Sequence, residues 1–465
     1  MSEGGLEPAA AACLFPGFEG RSAPDWLRRL LARGLGGVVL FSRNVGDAEQ
    51  LAALTASLRA EQPEVLIAID EEGGDVTRLE ATTGSSFPGN LALGAIDDAA
   101  LTRRVAAAIG GELAAVGLNM NLAPVADVLV DPATAIVGVR SFGSDPQLVA
   151  RHVAAFVGGL QSVGVAACAK HFPGHGETTG DSHLECPVAD TDLETLRARA
   201  LPPFEAAVAA HTRLIMTAHV RFAAVEDVPA TLSPALIGLL RAELGFDGVV
   251  LTDALEMQGA GIPGGIAASA VTALAAGADA LCLGADVPPA QVEAALDAVV
   301  AGARAGQLGE ERLRDAAVRV AALGAWAAAP QPRTDRAAGA EAARRALRVE
   351  GDPVVGEAAV VVDLRPEPTI PAGPAPYGLG GVMGVQSVRV GEGESLPALD
   401  ATRLPVFVVR DAHLYAWQRA LVPRQAVVVE TGVPEWRPDG VRGYIAAYGS
   451  GRASLEAVAE VLRGR

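Results

Sequence analysis

Three of the chain's seven histidines, His171, His175 and His183, fall within thirteen residues of one another in the stretch KHFPGHGETTGDSHLECP (Lys170 to Pro187). Lys170, which opens it, is the only lysine among 37 basic residues; every other one is arginine. A compact ammonium with three rotatable donors is not replaced by a planar guanidinium fork. The lone lysine therefore marks a position where geometry counts as well as charge. His171 and His175 have the HxxxH spacing of two metal ligands on one helix face, but Pro173 and Gly174 between them break a helix, which leaves a metal site a weak reading. A glycine-punctuated loop leaving a strand at His171 fits better, and such a loop can move over a ligand. Asp181 and His183 stand two apart in it, on one side if the segment is extended. Asp181 could then orient the imidazole and raise its pKa toward neutrality, making a general acid/base; the alternative is a surface loop with an Asx turn. Asp253 ends the apolar run GVVLTD and could serve as a nucleophile toward an anomeric carbon or as an electrostatic stabiliser.

The elements that must position these groups alternate along the first two-thirds of the chain. Short β-rich runs are expected at 12–15, 37–41, 65–70, 118–123, 165–171, 214–219, 248–253 and 280–283, with amphipathic stretches between them. Strands alternating with helices imply parallel βα units, and eight of them imply an α/β fold of the (β/α)8 TIM-type barrel kind, with an open doubly wound sheet as the alternative. In such a barrel the C-terminal strand ends form the mouth of the site. That rule selects Asp70, Asn121, Lys170, His171, His219 and Asp253. The barrel is expected to occupy residues 1–330. A linker running into a helix (331–345) and a smaller αβα sandwich-like domain (346–465) follow, with strands at 359–363, 405–409, 426–430 and 443–448. The Pro-rich PEPTIPAGPAP (366–376) reads as an irregular loop.

Composition narrows the partners. At 465 residues with half of them apolar, the chain has material for two cores. A formal charge of −18 argues against nucleic acid and against an anionic membrane surface. No basic n-region or sustained apolar run suggests a signal peptide or a membrane span. Four scattered cysteines without CxxC spacing fit reduced thiols, so the expected location is cytoplasmic.

Taken together, the motifs resemble glycoside hydrolase family 3, in its β-N-acetylhexosaminidase branch. They run in order: Asp70-Glu71-Glu72-Gly73-Gly74 with Arg78, NLAPVAD from Asn121 to Asp127, Arg140-Ser141-Phe142-Gly143, KHFPGHG with DSH, Met216 to His219, and Thr252 to Met257. The KHFPGHG and DSH pair is the specific part. The resemblance implies that Asp253 forms a covalent glycosyl-enzyme and that His183, paired with Asp181, protonates the leaving oxygen and later activates the acceptor. It implies that Asp70, Arg140, Lys170 and His171 bind the hydroxyls of a terminal sugar, with His219 beside them. No cofactor and no metal is called for. A histidine acid leaves no negative charge after giving up its proton, so phosphate stays open as an acceptor beside water. The expected substrate is a short oligosaccharide or muropeptide, since 4% aromatic residues provide few stacking platforms. Two departures stand out: the family usually has Gln at position 71 and Arg at position 75. Glu71 and Asp75 are expected to make this loop more acidic beside the sugar.

Overall fold

The computed structural model describes residues 5–178, 180, 182, 184–399 and 402–465, apart from the side chain of Glu357. The chain is α/β throughout, built on two parallel-stranded sheets. Eight parallel strands make the first: β1 (Leu14–Pro16), β2 (Gly37–Leu40), β3 (Leu66–Ile69), β4 (Met120–Asn121), β5 (Ala166–Phe172), β6 (Leu214–Thr217), β7 (Val249–Thr252) and β8 (Leu281–Gly284). Strands β2 to β7 are laddered in chain order. A bridge from Leu251 to Ala280 continues the series to β8, and β8 pairs in parallel with β1. The sheet thus curls until its last strand meets its first. Between β1 and β2 the backbones come together through Gly36 and Gly37: a Cβ on Gly37 would lie 2.2 Å from the Phe15 ring, and one on Gly36 1.8 Å from the Ala12 carbonyl.

Alternation along the strands explains the curl. Phe15, Val39, Leu66, Met120, Cys168 and Leu251 belong to a cluster on one face, while Val38, Ile67, Ala167, Ile215 and Val250 pack on the other with the helices. A strand side chain points to alternate faces, so apolar residues at successive positions require that both faces be covered. The helices begin on strong signals. Asp47, Asp98, Asp145 and Ser233 each accept a backbone N–H of the first turn of the helix they precede, Ala48–Glu61, Ala99–Ala115, Pro146–Gln161 and Pro234–Ala242. Capping satisfies donors that would otherwise be orphaned, and proline at the first helical position needs no partner.

The second sheet contains β9 (Arg348–Gly351), β10 (Ala359–Leu364), β11 (Ser387–Val390), β12 (Leu404–Val409), β13 (Val427–Glu430) and β14 (Gly443–Ala446). Its order is β9-β14-β13-β12-β10-β11, parallel except for β9. Both faces are buried, one under Leu455, Val458 and Leu462 of the helix Arg452–Leu462, the other beneath Trp417 and Leu421. Four of these strands match expected runs. The two that the sequence reading missed, β9 and β11, are the sheet edges, and their exposed, charged RVEG and SVRV lack the continuous apolar signal of a buried strand.

Candidate active site

The strand ends of the first sheet converge on a cavity of about 290 Å³, lined among others by Asp70, Glu72, Arg140, Lys170, His171 and Asp253. Asp70 directly follows β3, Lys170 and His171 lie near the end of β5, and Asp253 directly follows β7. At the centre, the Lys170 ammonium lies 2.6 Å from Asp70 Oδ1 and 2.9 Å from Glu72 Oε1. Arg140 closes on Glu72 with both arms of its fork, Nε to Oε2 at 3.0 Å and Nη2 to Oε1 at 2.8 Å. Burial alone would push the Glu72 carboxyl up, but the charges of Arg140 and Lys170 outweigh it and hold it well below the usual carboxylate range. Burial likewise works against the Lys170 ammonium, and Asp70 and Glu72 more than restore it, so its pKa ends raised. The cluster is a fixed set of charges facing the cavity. Two carboxylates and two cations neutralise each other while their remaining acceptors and donors are available to hydroxyls.

Beside it, His171 is held by Asp127, whose Oδ2 lies 2.8 Å from Nδ1; Asp127 Oδ1 accepts the backbone N–H of His175 at 2.8 Å. Burial would raise the Asp127 carboxyl, and the histidines more than offset this, so it stays ionised. His175 sits with its ring 6.2 Å from that of His171 and is bonded through Nδ1 to Thr178 Oγ1 at 2.8 Å and through Nε2 to Ser182 Oγ at 3.2 Å. Burial lowers its pKa, and its hydrogen bonds serve the shape of the loop. Asp253 accepts the Ala254 N–H at 2.8 Å. Asp181 and His183 lie outside the described residues; Ser182 between them lines the cavity.

Two of the expected strand-end residues take supporting positions. His219 is fully buried, with Nδ1 2.9 Å from Thr231 Oγ1 and Nε2 3.0 Å from the Ala254 carbonyl, behind the cavity wall. It fixes the backbone next to Asp253. Asn121 accepts the N–H of Glu71 at 3.0 Å and donates to its carbonyl at 2.8 Å, clamping the turn that follows β3. Glu72 was missed as a member of the site. Its only signal in the sequence is the glycine pair after it: Gly73 and Gly74 both adopt positive φ, and a Cβ on Gly74 would lie 2.6 Å from Gly89 Cα.

The expectation about Glu71 and Asp75 is overturned. Neither carboxylate lines the sugar-sized cavity. Glu71 turns back to accept the N–H groups of Arg78 at 2.8 Å and Leu79 at 3.0 Å, and burial pushes its carboxyl up to about 7. With its pKa near 7 this carboxyl is about half protonated at neutral pH, and its neutral form resembles the amide of Gln in charge and shape. Asp75 points to the second sheet, where it pairs with Arg410 and accepts the Ser450 N–H at 2.6 Å. The Pro-rich loop also comes into the site, since Ile370 and Pro371 line the cavity and Arg78 donates to the Pro371 carbonyl at 2.9 Å.

Comparison with known proteins matches this geometry to a class. The sequence profile of the glycosyl hydrolase family 3 N-terminal domain covers residues 20–323, and the molecule is a glycoside hydrolase. A β-hexosaminidase of Methylococcus capsulatus is 40% identical over 249 residues, spanning 53% of this chain and 74% of that protein. One from Stenotrophomonas maltophilia (strain K279a) is 38% identical over 283 residues, 59% of this chain and 82% of that protein. Among solved structures, a family 3 β-N-acetylglucosaminidase from Paenibacillus sp. str. FPU-7 superposes with a TM-score of 0.88 at 33% identity, covering 99% of this chain and 97% of the other. The chain belongs to glycoside hydrolase family 3, in its β-N-acetylhexosaminidase branch.

Proposed function

We propose that the enzyme is a retaining exo-β-N-acetylglucosaminidase that removes a terminal N-acetylglucosamine from short cell-wall or chitin-derived fragments in the cytoplasm. The observation that carries this reading is the convergence of Asp70, Glu72, Arg140, Lys170, His171 and Asp253 on one cavity of about 290 Å³, a space suited to a single substituted ring and therefore to chain-end attack. The relatives named β-hexosaminidase support the choice of sugar. We read the curled sheet as a (β/α)8 barrel (1–330), joined through 331–345 to an αβα domain (346–465) that frames the substrate.

In this mechanism Asp70, Arg140, Lys170 and His171 hold the ring hydroxyls. Asp253 attacks the anomeric carbon while His183, oriented by Asp181, gives its proton to the departing glycosidic oxygen. The covalent ester on Asp253 is then opened by water, whose proton returns to His183, and the configuration is retained after two displacements. Among the described residues, no group of three or more His, Cys, Asp or Glu could hold a metal ion, and no helix is long and apolar enough to cross a membrane.

The test is turnover of 4-nitrophenyl N-acetylglucosaminide against the matching glucoside, each with and without phosphate. Hydrolysis of the first, with free sugar as product, is expected. A sugar 1-phosphate appearing only with phosphate would instead establish phosphorolysis. Asp253→Ala should lose on the order of 10⁴-fold in kcat, and normal turnover by that variant would overturn the assignment. Replacing His183 should hurt substrates with poor leaving groups far more than nitrophenyl ones.

A further inference from the structure

A second and larger cavity, about 830 Å³, adjoins the sugar pocket and shares Phe41, Arg78 and Ile370 with it. Its far side lies at the C-terminal ends of β10 and β12, where Asp363, Arg365 and Arg410 line it. From β10 the chain steps outward to β11 on one side, whereas β12, β13 and β14 follow on the other. Such a reversal of strand order opens a crevice outside the strand ends, the place where open parallel sheets bind ligands.

The charge of this crevice runs against that of the chain. In a protein of net charge −18, five arginines (Arg43, Arg78, Arg365, Arg389 and Arg410) and only two carboxylates, Asp75 and Asp363, line the cavity. Four of the five are engaged. Arg410 pairs with Asp75, and Arg365 lies 2.6 Å from Asp363 and donates to the Tyr377 carbonyl. Arg43 holds Asp286 at 2.7 Å, and Arg78 donates to the Pro371 carbonyl. Arg389 is different. Among the described residues its nearest carboxylate oxygen, Asp363 Oδ2, is 4.0 Å away and is already taken by Arg365. Its side chain, on the edge strand β11, is 53% exposed, and the cavity it lines also has the apolar Leu364, Pro366 and Pro374 in its wall.

We propose that this crevice is a recognition site for a carboxylate carried on a part-apolar body, with Arg389 as the residue that reads the charge. An apolar wall binds the body, and a guanidinium without a close partner binds the anion in fork geometry. Because the two cavities share part of their wall, the carboxylate belongs either to the aglycone of the substrate, which rests on the sugar-cleaving reading above, or to a free acid bound beside it. An acidic aglycone would reach from the bond being cut, past Arg78 and Ile370, to Arg389.

The experiment compares wild type and Arg389→Gln on three N-acetylglucosaminides: the 4-nitrophenyl glycoside, the tyrosine-O-glycoside of N-acetyl-Tyr-Gly-Gly with a free C-terminal carboxylate, and the same peptide glycoside as its C-terminal amide. Both peptide substrates have one phenolic leaving group, so they differ in the distant charge alone. Wild type should show a KM about tenfold lower for the carboxylate than for the amide, the scale of one charge-assisted hydrogen bond. Arg389→Gln should erase that difference and leave the nitrophenyl substrate unchanged. In parallel, the free peptide acid and its amide are tested for a shift in thermal midpoint. A shift by the acid in wild type but not in Arg389→Gln, with no preference among substrates, assigns the crevice to a free acid. If carboxylate and amide behave alike in both readouts, the inference is overturned. Should no glycoside be cleaved, the sugar-cleaving reading fails by itself, and the thermal readout still decides the crevice.

Discussion

Both sheets end in buried carboxylates, and they use them in opposite ways. At the first sheet Glu72 meets side-chain cations, Arg140 and Lys170, and faces an open cavity. At the second, Glu430 ends β13 with no such ion-pair partner among the described residues. Its oxygens accept the N–H groups of Asp411 at 2.9 Å, Ala412 at 3.2 Å and Gly432 at 2.7 Å, and Asp411 in turn accepts that of Val433 at 2.7 Å. Burial, and then the neighbouring Asp411, push the Glu430 carboxyl up to about 8. A buried carboxyl satisfied by backbone donors stitches loops together, and one held by side-chain cations beside a cavity keeps acceptors available to a ligand. A polar strand end is therefore not by itself a sign of chemistry. What decides is the kind of partner that satisfies it.

The contrast can be broken at three points. Lys170→Ala removes the ammonium shared by Asp70 and Glu72 and should destabilise the protein by about 4 kcal/mol, since buried carboxylates lose their partner. Denaturant unfolding measures this, and Lys170→Arg should fail to restore kcat/KM because a guanidinium cannot occupy the same narrow site. Asp75→Ala takes from Arg410 its closer carboxylate and leaves it only Asp411 Oδ2 at 3.5 Å, which should cost about 3 kcal/mol, with KM for the nitrophenyl glycoside little changed; a large rise in KM would show that Asp75 acts on the sugar after all. The smallest effect is expected at Glu71. Its carboxyl is raised from the ordinary 4.5 to about 7, so the fold favours the neutral form. The stabilisation is complete below about pH 4.5 and is lost as pH rises through about 7. Glu71→Gln should therefore be more stable than wild type by at most about 3 kcal/mol at pH 8 and nearly equal to it at pH 4.5. Parallel pH dependences for the two proteins would refute the protonated state.

The strand-end rule brought out Asp70, Lys170, His171 and Asp253 because an apolar run that stops at a charged residue is visible in one dimension. It could not separate these from Asn121, which clamps the Glu71 backbone, and His219, which is held between Thr231 Oγ1 and the Ala254 carbonyl. Arg140 acquires its role from Glu72, 68 positions earlier, and nothing in their local patterns links the two. Asp75 and Glu71 were misplaced for the same reason: sequence proximity to Asp70 suggested the sugar, whereas the Gly73–Gly74 turn sends the two side chains elsewhere. The acid/base pair expected at Asp181 and His183 rests on its motif. The contribution of Ile370 and Pro371 had no signal, because an irregular proline-rich segment has no periodicity from which its neighbours can be read.

The pairing of Asp75 with Arg410 joins residues 335 positions apart, and this separation matters while the protein is being made. At about 5–20 residues per second of synthesis, Asp75 leaves the ribosome some 20–70 seconds before its partner exists. During that interval the carboxylate must remain hydrated on the face that the segments following β12 and β14 will later meet. The nascent first sheet then presents a charge where an apolar seam would invite another unfinished chain to stick.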